Sequence, residues 1–89
     1  MTKGARLEAL DGNAIAGALF EHFGTEMTTA VGRCAHCGAR AQVAELEVYA
    51  RAPGAVVRCR TCRDVVIVIV VIHDVTRVDS RGFELGLPY

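Results

Sequence analysis

The chain has 89 residues and a formal net charge of zero, with ten basic and ten acidic residues. Its hydrophobic content of 52% excludes a globally disordered chain, and a balanced charge is not the footprint of a typical nucleic-acid-binding domain. We predict a single domain over residues 1–89, and a core of this size often depends on a metal, disulfides or a second subunit.

Residues 1–24 are predicted to be an N-terminal arm followed by one helix. Asp11 is a favourable N-cap residue and Gly24 favours a left-handed stop, so we expect the helix to run from Gly12 to Phe23. Apolar residues recur in it at intervals of four, which predicts one buried stripe: Ile15, Leu19 and Phe23. The arm lacks the continuous apolar stretch of a signal peptide, and we predict a cytoplasmic location.

Residues 28–79 are predicted to form an antiparallel sheet. The expected strands are 28–33, 55–58, 65–72 and 75–78, with turns at 52–54 and at His73 and Asp74. Segment 39–50 is compatible with either a strand or a helix. In the C-terminal tail, residues 80–89, the alternation of Phe83, Leu85 and Leu87 predicts an edge strand.

Two pairs of cysteines carry the chemistry of the chain. Each pair has the form Cys-x-x-Cys, and 21 residues separate the two pairs, which are Cys34/Cys37 and Cys59/Cys62. This spacing is typical of a four-thiolate zinc site, because each pair forms a tight turn, or knuckle, whose two sulfurs point at one ion. We therefore predict one structural Zn²⁺ with these four ligands. Gly38 suits the positive φ that such a turn needs, whereas Arg63 stands at the matching place in the second knuckle.

Other interpretations of the cysteines stay open at this point. Iron uses the same ligand set, free or redox-active dithiols need no ion, and His36 inside the first knuckle is an alternative ligand. Four thiolates around a divalent ion leave a charge of −2. The flanking arginines either offset that charge and lower the thiol pKa values or are solvated surface residues: Arg33, Arg40, Arg58, Arg60 and Arg63.

The spacing of the two knuckles resembles that of zinc ribbons, over residues 28–78. The stretch LDGNAIAGALFEHFGTEMTTAVGRCAHCGA also resembles an uncharacterised family of small actinobacterial proteins, in which a DGNA-type N-terminal helix precedes two such knuckles. The resemblance implies a small α+β fold in which the N-terminal helix packs on an antiparallel, zinc-ribbon-like sheet. It implies no activity.

The segment Val65–Ile72 consists of eight consecutive Val and Ile residues. A strand of this composition is apolar on both faces, so both need cover. The helix can cover one face, and either the tail from Phe83 to Leu87 or a second copy of the protein can cover the other. We therefore predict a homodimer or a protein partner that binds through this strand or this tail. Membrane insertion is not expected, since a spanning helix needs about 20 residues.

The function predicted from these residues is that of a non-catalytic structural-zinc domain, acting as a protein-interaction or scaffold module. A zinc with four protein ligands has no open position for water, so we predict neither an enzyme nor a small-molecule substrate. Two alternatives remain. One is a nucleic-acid-binding ribbon that uses the basic face of the knuckles, since residues 31–63 carry a net charge of +4. The other is a thiol redox or metal sensor.

Overall fold

The computed structural model describes residues 10–51 and 54–85, in which one short helix packs against antiparallel β-structure. This confirms the predicted α+β class with an N-terminal helix. The elements in chain order are β1 (Leu10–Asp11), a 3₁₀ turn (Gly12–Ile15), α1 (Ala16–Phe23), β2 (Val31–Cys34), β3 (Arg40–Gln42), a second 3₁₀ turn (Val43–Glu45), β4 (Glu47–Arg51), β5 (Gly54–Arg58), β6 (Val65–Ile72), β7 (Val75–Asp79) and β8 (Phe83–Glu84).

The helix begins and ends where the sequence predicts, although its first turn is 3₁₀. The Asp11 carboxylate accepts a hydrogen bond from the Asn13 amide at 3.0 Å. Gly24 adopts a left-handed conformation with φ +77° and donates its N–H to Phe20 O at 2.7 Å. Gly12 allows a close approach of the two 3₁₀ turns, because a Cβ there would lie 1.8 Å from Val43 O.

The predicted buried stripe of the helix is only partly correct. Ile15 and Leu19 are buried, but the side chain of Phe23 is 38% exposed. At 3.6 residues per turn, each step of four residues rotates the side chain by about 40°, so the stripe drifts away from the sheet in the last turn. Phe23 instead lies edge-on to His22, with ring centroids 4.8 Å apart.

Five strands form one antiparallel sheet in the order β1-β4-β5-β6-β7. Its inner face packs on the helix, and Val48, Val57 and Ile67 lie side by side across it, each fully buried. The strand Val65–Ile72 has the predicted bounds. The predicted turn after it is confirmed, because His73 (φ +51°) and Asp74 (φ +63°) form the two-residue left-handed turn that suits the twist of a hairpin.

Three further strands form a second antiparallel sheet in the order β3-β2-β8. The open question about segment 39–50 is settled as β3, a 3₁₀ turn and β4, and the strand predicted at 28–33 lies instead at Val31–Cys34. The predicted edge strand of the tail is confirmed for Phe83–Glu84, which pairs with β2, whereas Leu87 lies outside the described residues.

The described part of the tail covers the start of β6 on its outer side, where a Cβ at Gly82 would lie 2.7 Å from Val66 Cα and Val66 is buried. Phe83 itself lies in the smaller sheet. Its ring packs over Gly32 in the smaller sheet, where a Cβ would lie 2.4 Å from Phe83 Cε2. The outer face of the larger sheet, as we use the term, consists of side chains that alternate with the inner ones: Val56, Val68, Val70, Ile72, Val75, Arg77 and Asp79.

Part of the predicted organisation falls outside the described residues. This applies to arm residues 1–9, to Ala52 and Pro53 of the predicted turn, and to the end of the tail. Within residues 10–51 and 54–85, no helix is long and apolar enough to cross a membrane.

Candidate metal centre

The two knuckles lie in different sheets and meet at one point. The first knuckle runs from Cys34, the last residue of β2, to Cys37 before β3. The second occupies the connection between β5 and β6 and holds Cys59 and Cys62. Cys34 and Cys59 are buried, Cys62 is partly buried and Cys37 is exposed. The cluster therefore joins the two sheets at the edge of the hydrophobic core.

The two knuckles have the same backbone geometry. In the first, the His36 amide donates to Cys34 Sγ at 3.3 Å, and the Gly38 amide donates to Cys34 O at 2.9 Å. In the second, the amides of Thr61 and Arg63 make the same two bonds to Cys59, at 3.3 and 2.9 Å. Each knuckle thus directs a backbone N–H at a sulfur, which stabilises the thiolate form that binds metal.

Arg63 adopts the left-handed backbone conformation of Gly38, although it is not a glycine. Its φ is +71°, close to the +82° of Gly38. The Arg63 carbonyl accepts a hydrogen bond from Arg58 Nη1 at 2.8 Å, and its guanidinium lies 3.4 Å from Glu47 Oε1. These contacts hold a non-glycine residue in an unfavourable backbone region.

The positions of the four sulfurs fit one tetrahedrally bound ion. All four Sγ atoms lie within 4.8 Å of one another. The Cys34–Cys62 and Cys37–Cys59 sulfurs, which pair across the two knuckles, are each 3.7 Å apart. A tetrahedron with zinc–sulfur bonds of 2.3 Å has edges of about 3.8 Å, whereas a disulfide needs about 2.05 Å. The four predicted ligands therefore converge at the spacing of a metal site.

The thiols also influence one another's ionisation. Burial raises the pKa of Cys59, but the amides of Cys62 and Thr61 and the thiols of Cys37 and Cys62 outweigh it and lower that pKa to about 7. The amide of Asp64 lowers the pKa of Cys62, but burial and the other three cysteines raise it to about 12. Four sulfurs this close cannot all be thiolates unless a cation lies among them.

Four of the five flanking arginines contact carboxylates or carbonyl groups, and Arg40 is the exception among the described residues. Arg33 Nη2 lies 2.9 Å from Glu84 Oε1. Arg60 donates from Nε to Glu45 O at 2.9 Å and lies 3.7 Å from Glu47 Oε2. The bonds to sulfur described above come from backbone amides. The interpretation as solvated surface residues therefore describes Arg33, Arg60 and Arg63 better than direct charge compensation of the sulfurs, although each also has an ion-pair partner.

His36 lies beside the cluster, where it contacts Asp64 and does not take the place of a cysteine. Its Nδ1 is 3.8 Å from Asp64 Oδ2, so the side chain links the first knuckle to the residue after the second. Sequence reasoning did not find this contact, nor the role of Glu47 as the shared partner of Arg60 and Arg63. In each of these contacts the two residues lie far apart in the sequence, so no local pattern indicates the contact.

The fold and the cluster define a small α+β domain with a four-cysteine site suited to a metal ion. The chain belongs to the family of unknown function DUF6510, whose profile matches residues 5–87. A search of curated proteins and a search of solved structures each gave no match.

Proposed function

We propose that this protein is a non-catalytic structural-zinc domain of the zinc-ribbon type that works in the cytoplasm as a protein-interaction or scaffold module. The observation that carries the proposal is the convergence of two knuckles from separate sheets on a single four-sulfur cluster. An ion bound there would crosslink the sheets, which otherwise share a small core.

Zinc suits this site because it accepts four thiolates at tetrahedral spacing and does no redox chemistry of its own. Binding of zinc at such a site contributes on the order of 10 kcal/mol to folding, which is large beside the few kcal/mol that a core of this size supplies. A site closed by four protein ligands leaves no position for a substrate or an activated water. These considerations support a structural role over an enzymatic one.

We further propose that the outer face of the larger sheet binds a second copy of the protein. Its centre is apolar, and at the hairpin end Ile72 and Val75 are 49% and 52% exposed. Arg77 and Asp79 stand two residues apart along β7 on this face. A twofold axis between them would set Arg77 of each copy opposite Asp79 of the other.

The Asp79 carboxylate already binds Arg81, and in the dimer Arg77 of the second copy would share it. The Arg81 side chain and the Arg81 backbone amide donate hydrogen bonds to this carboxylate, which lowers the pKa of Asp79 to about 2. It is therefore charged at neutral pH. Charge complementarity of this kind supports a second copy, rather than an unrelated apolar partner, as the occupant of the outer face.

Native mass spectrometry with and without a chelator tests the metal assignment. One zinc per chain is expected, with loss of folded charge states when the ion is removed. Iron in place of zinc, or a fully folded chain that holds no metal, would contradict the proposal. His36→Asn is the matched control, because it alters the knuckle without removing a sulfur and should retain the ion.

A further inference from the structure

Beside the metal centre, a cleft of about 430 Å³ opens between the two sheets. Its volume lies in the range of ligand pockets. Besides Asp11 and Phe83, three runs of consecutive residues line it: 39–41, 44–46 and 59–61. Phe83 and Leu46 give the cleft an apolar floor, and both are buried in the core.

One wall of this cleft is the outer edge of β3, which pairs with no other strand among the described residues. Ala39 O accepts from Cys34 N at 2.9 Å, and Val43 N donates to Ala30 O at 3.0 Å, so the odd-numbered residues of this segment bond to β2. Because bonding alternates along an antiparallel strand, Arg40 and Gln42 direct their N–H and C=O groups to the opposite edge. The Gln42 N–H is taken by Glu45 Oε1 at 2.7 Å. Within residues 10–51 and 54–85, this leaves the Arg40 amide and carbonyl for a partner.

A row of three charged side chains crosses the smaller sheet and ends at Arg40. Glu84, Arg33 and Arg40 are direct neighbours across β8, β2 and β3. Glu84 neutralises Arg33 through two hydrogen bonds, at 2.9 and 3.1 Å. Among the described residues, Arg40 has no ion-pair partner, and it stands opposite another arginine, which is an unfavourable arrangement. A carboxylate at the outer edge of β3 would give the Arg40 guanidinium an ion-pair partner.

We infer that β3 binds an extended peptide strand that carries an acidic residue flanked by apolar residues. The peptide would add a fourth strand to the smaller sheet, with its acidic side chain beside Arg40 and its backbone bonded to the Arg40 amide and carbonyl. The flanking residues would point to the side of Ala39 and Ala41, which pack against the core, and would enter the cleft. This inference rests on the proposed interaction function and names the chemistry of the partner.

The test is a selection of random heptapeptides displayed on phage against the zinc-loaded full chain, followed by affinity measurements on synthetic versions of the selected peptides. Enrichment of an apolar–acidic–apolar pattern is expected.

Arg40→Gln should weaken the binding on the order of threefold and Arg40→Glu on the order of tenfold, as a cross-strand ion pair and its reversal imply. A lysine in place of the acidic residue should restore the affinity of the Arg40→Glu variant. Arg81→Gln, which removes one positive charge outside the cleft, should leave the affinity unchanged.

Other outcomes would overturn the inference. These are selected peptides with no acidic preference, binding that Arg40→Glu leaves unchanged, and failure to select any peptide. Peptide binding that disappears as the protein concentration rises would assign the edge to a second copy instead. Zinc content is measured on the same samples, so a chain that holds its ion but binds no peptide would contradict this inference alone and leave the structural role of the metal intact.

Discussion

Gly38 and Arg63 occupy equivalent places in the two knuckles, both with positive φ and both with an amide that donates at 2.9 Å to the carbonyl of the first cysteine. The geometry of the knuckle therefore demands a left-handed residue after the second sulfur. Glycine adopts this conformation without steric cost, whereas most residues with a Cβ store about 1–2 kcal/mol there.

Gly38→Ala should lower the free energy of unfolding of the metal-loaded chain by about 1 kcal/mol. A Cβ at Gly38 meets no atom within 4 Å, so the loss would come from the backbone alone. Denaturant unfolding followed by circular dichroism measures it. Arg63→Ala serves as the control, because that position already holds a non-glycine residue and loses only an exposed ion pair of about 0–1 kcal/mol. A Gly38→Ala protein as stable as the wild type would contradict this account.

Cys59→Ser should abolish stoichiometric zinc binding and leave the chain unfolded or insoluble. The substitution removes a buried ligand and with it a contribution on the order of 10 kcal/mol. Metal analysis and circular dichroism report the two effects. Ser80→Ala, which changes a hydroxyl outside the cluster, should keep both the ion and the fold. A folded, metal-free Cys59→Ser protein would remove the structural role of the site.

Zinc affinity should fall steeply as the pH is lowered from 8 to 5. Bound thiolates stay deprotonated, whereas released thiols with ordinary pKa values near 8.5 take up protons. The folded, metal-loaded chain thus binds fewer protons than the unfolded one, so its stability is present at higher pH and lost on acidification. Competition with a zinc chelator at several pH values measures the slope. It should approach four protons per ion, and a flat profile would exclude thiolate ligation.

Val70→Glu should give a monomer that remains folded and metal-loaded. The residue lies half-buried near the middle of the outer face, so a carboxylate there would oppose the proposed contact between two copies. Light scattering over a range of concentrations reports the mass. Val71→Glu is the matched control, since its side chain is 40% exposed on the other side of the same strand. A wild-type chain that stays monomeric at high concentration would refute the dimer.

Nucleic-acid binding by the knuckle face should be weak. Arg33, Arg60 and Arg63 face carboxylates within 4 Å, so few guanidinium groups are left to replace the counterions of phosphates. A mobility-shift assay on double-stranded and single-stranded DNA and on RNA, at several salt concentrations, tests this. Tight binding with a steep salt slope would restore the nucleic-acid alternative.

Features that depend on local chemistry could be predicted from the sequence. The run of Val and Ile defined β6 by itself, and Asp11 and Gly24 marked the ends of the helical segment. The four cysteines that converge in the cluster could be identified from their spacing. Each of these features is marked by a short local pattern, which for the cysteines is the Cys-x-x-Cys unit that occurs twice.

Features that depend on distant contacts could not be predicted. The sequence does not reveal that β4 pairs with β1 or that Phe83 returns to β2, because both pairings are chosen by packing between segments far apart in the chain. It favours glycine after the second sulfur of a knuckle, yet Arg63 takes that conformation with support from Arg58 and Glu47. The cleft beside β3 arises only when both sheets are in place.

The placement of the second knuckle before β6 has a consequence for biosynthesis. Cys62 precedes Val65 in the chain. The ribosome therefore synthesises all four cysteines before the strand Val65–Ile72, which is the segment most prone to aggregate. On the proposed zinc assignment, cells short of zinc should therefore accumulate this protein in inclusion bodies, whereas ample zinc during translation should keep the nascent chain out of aggregates.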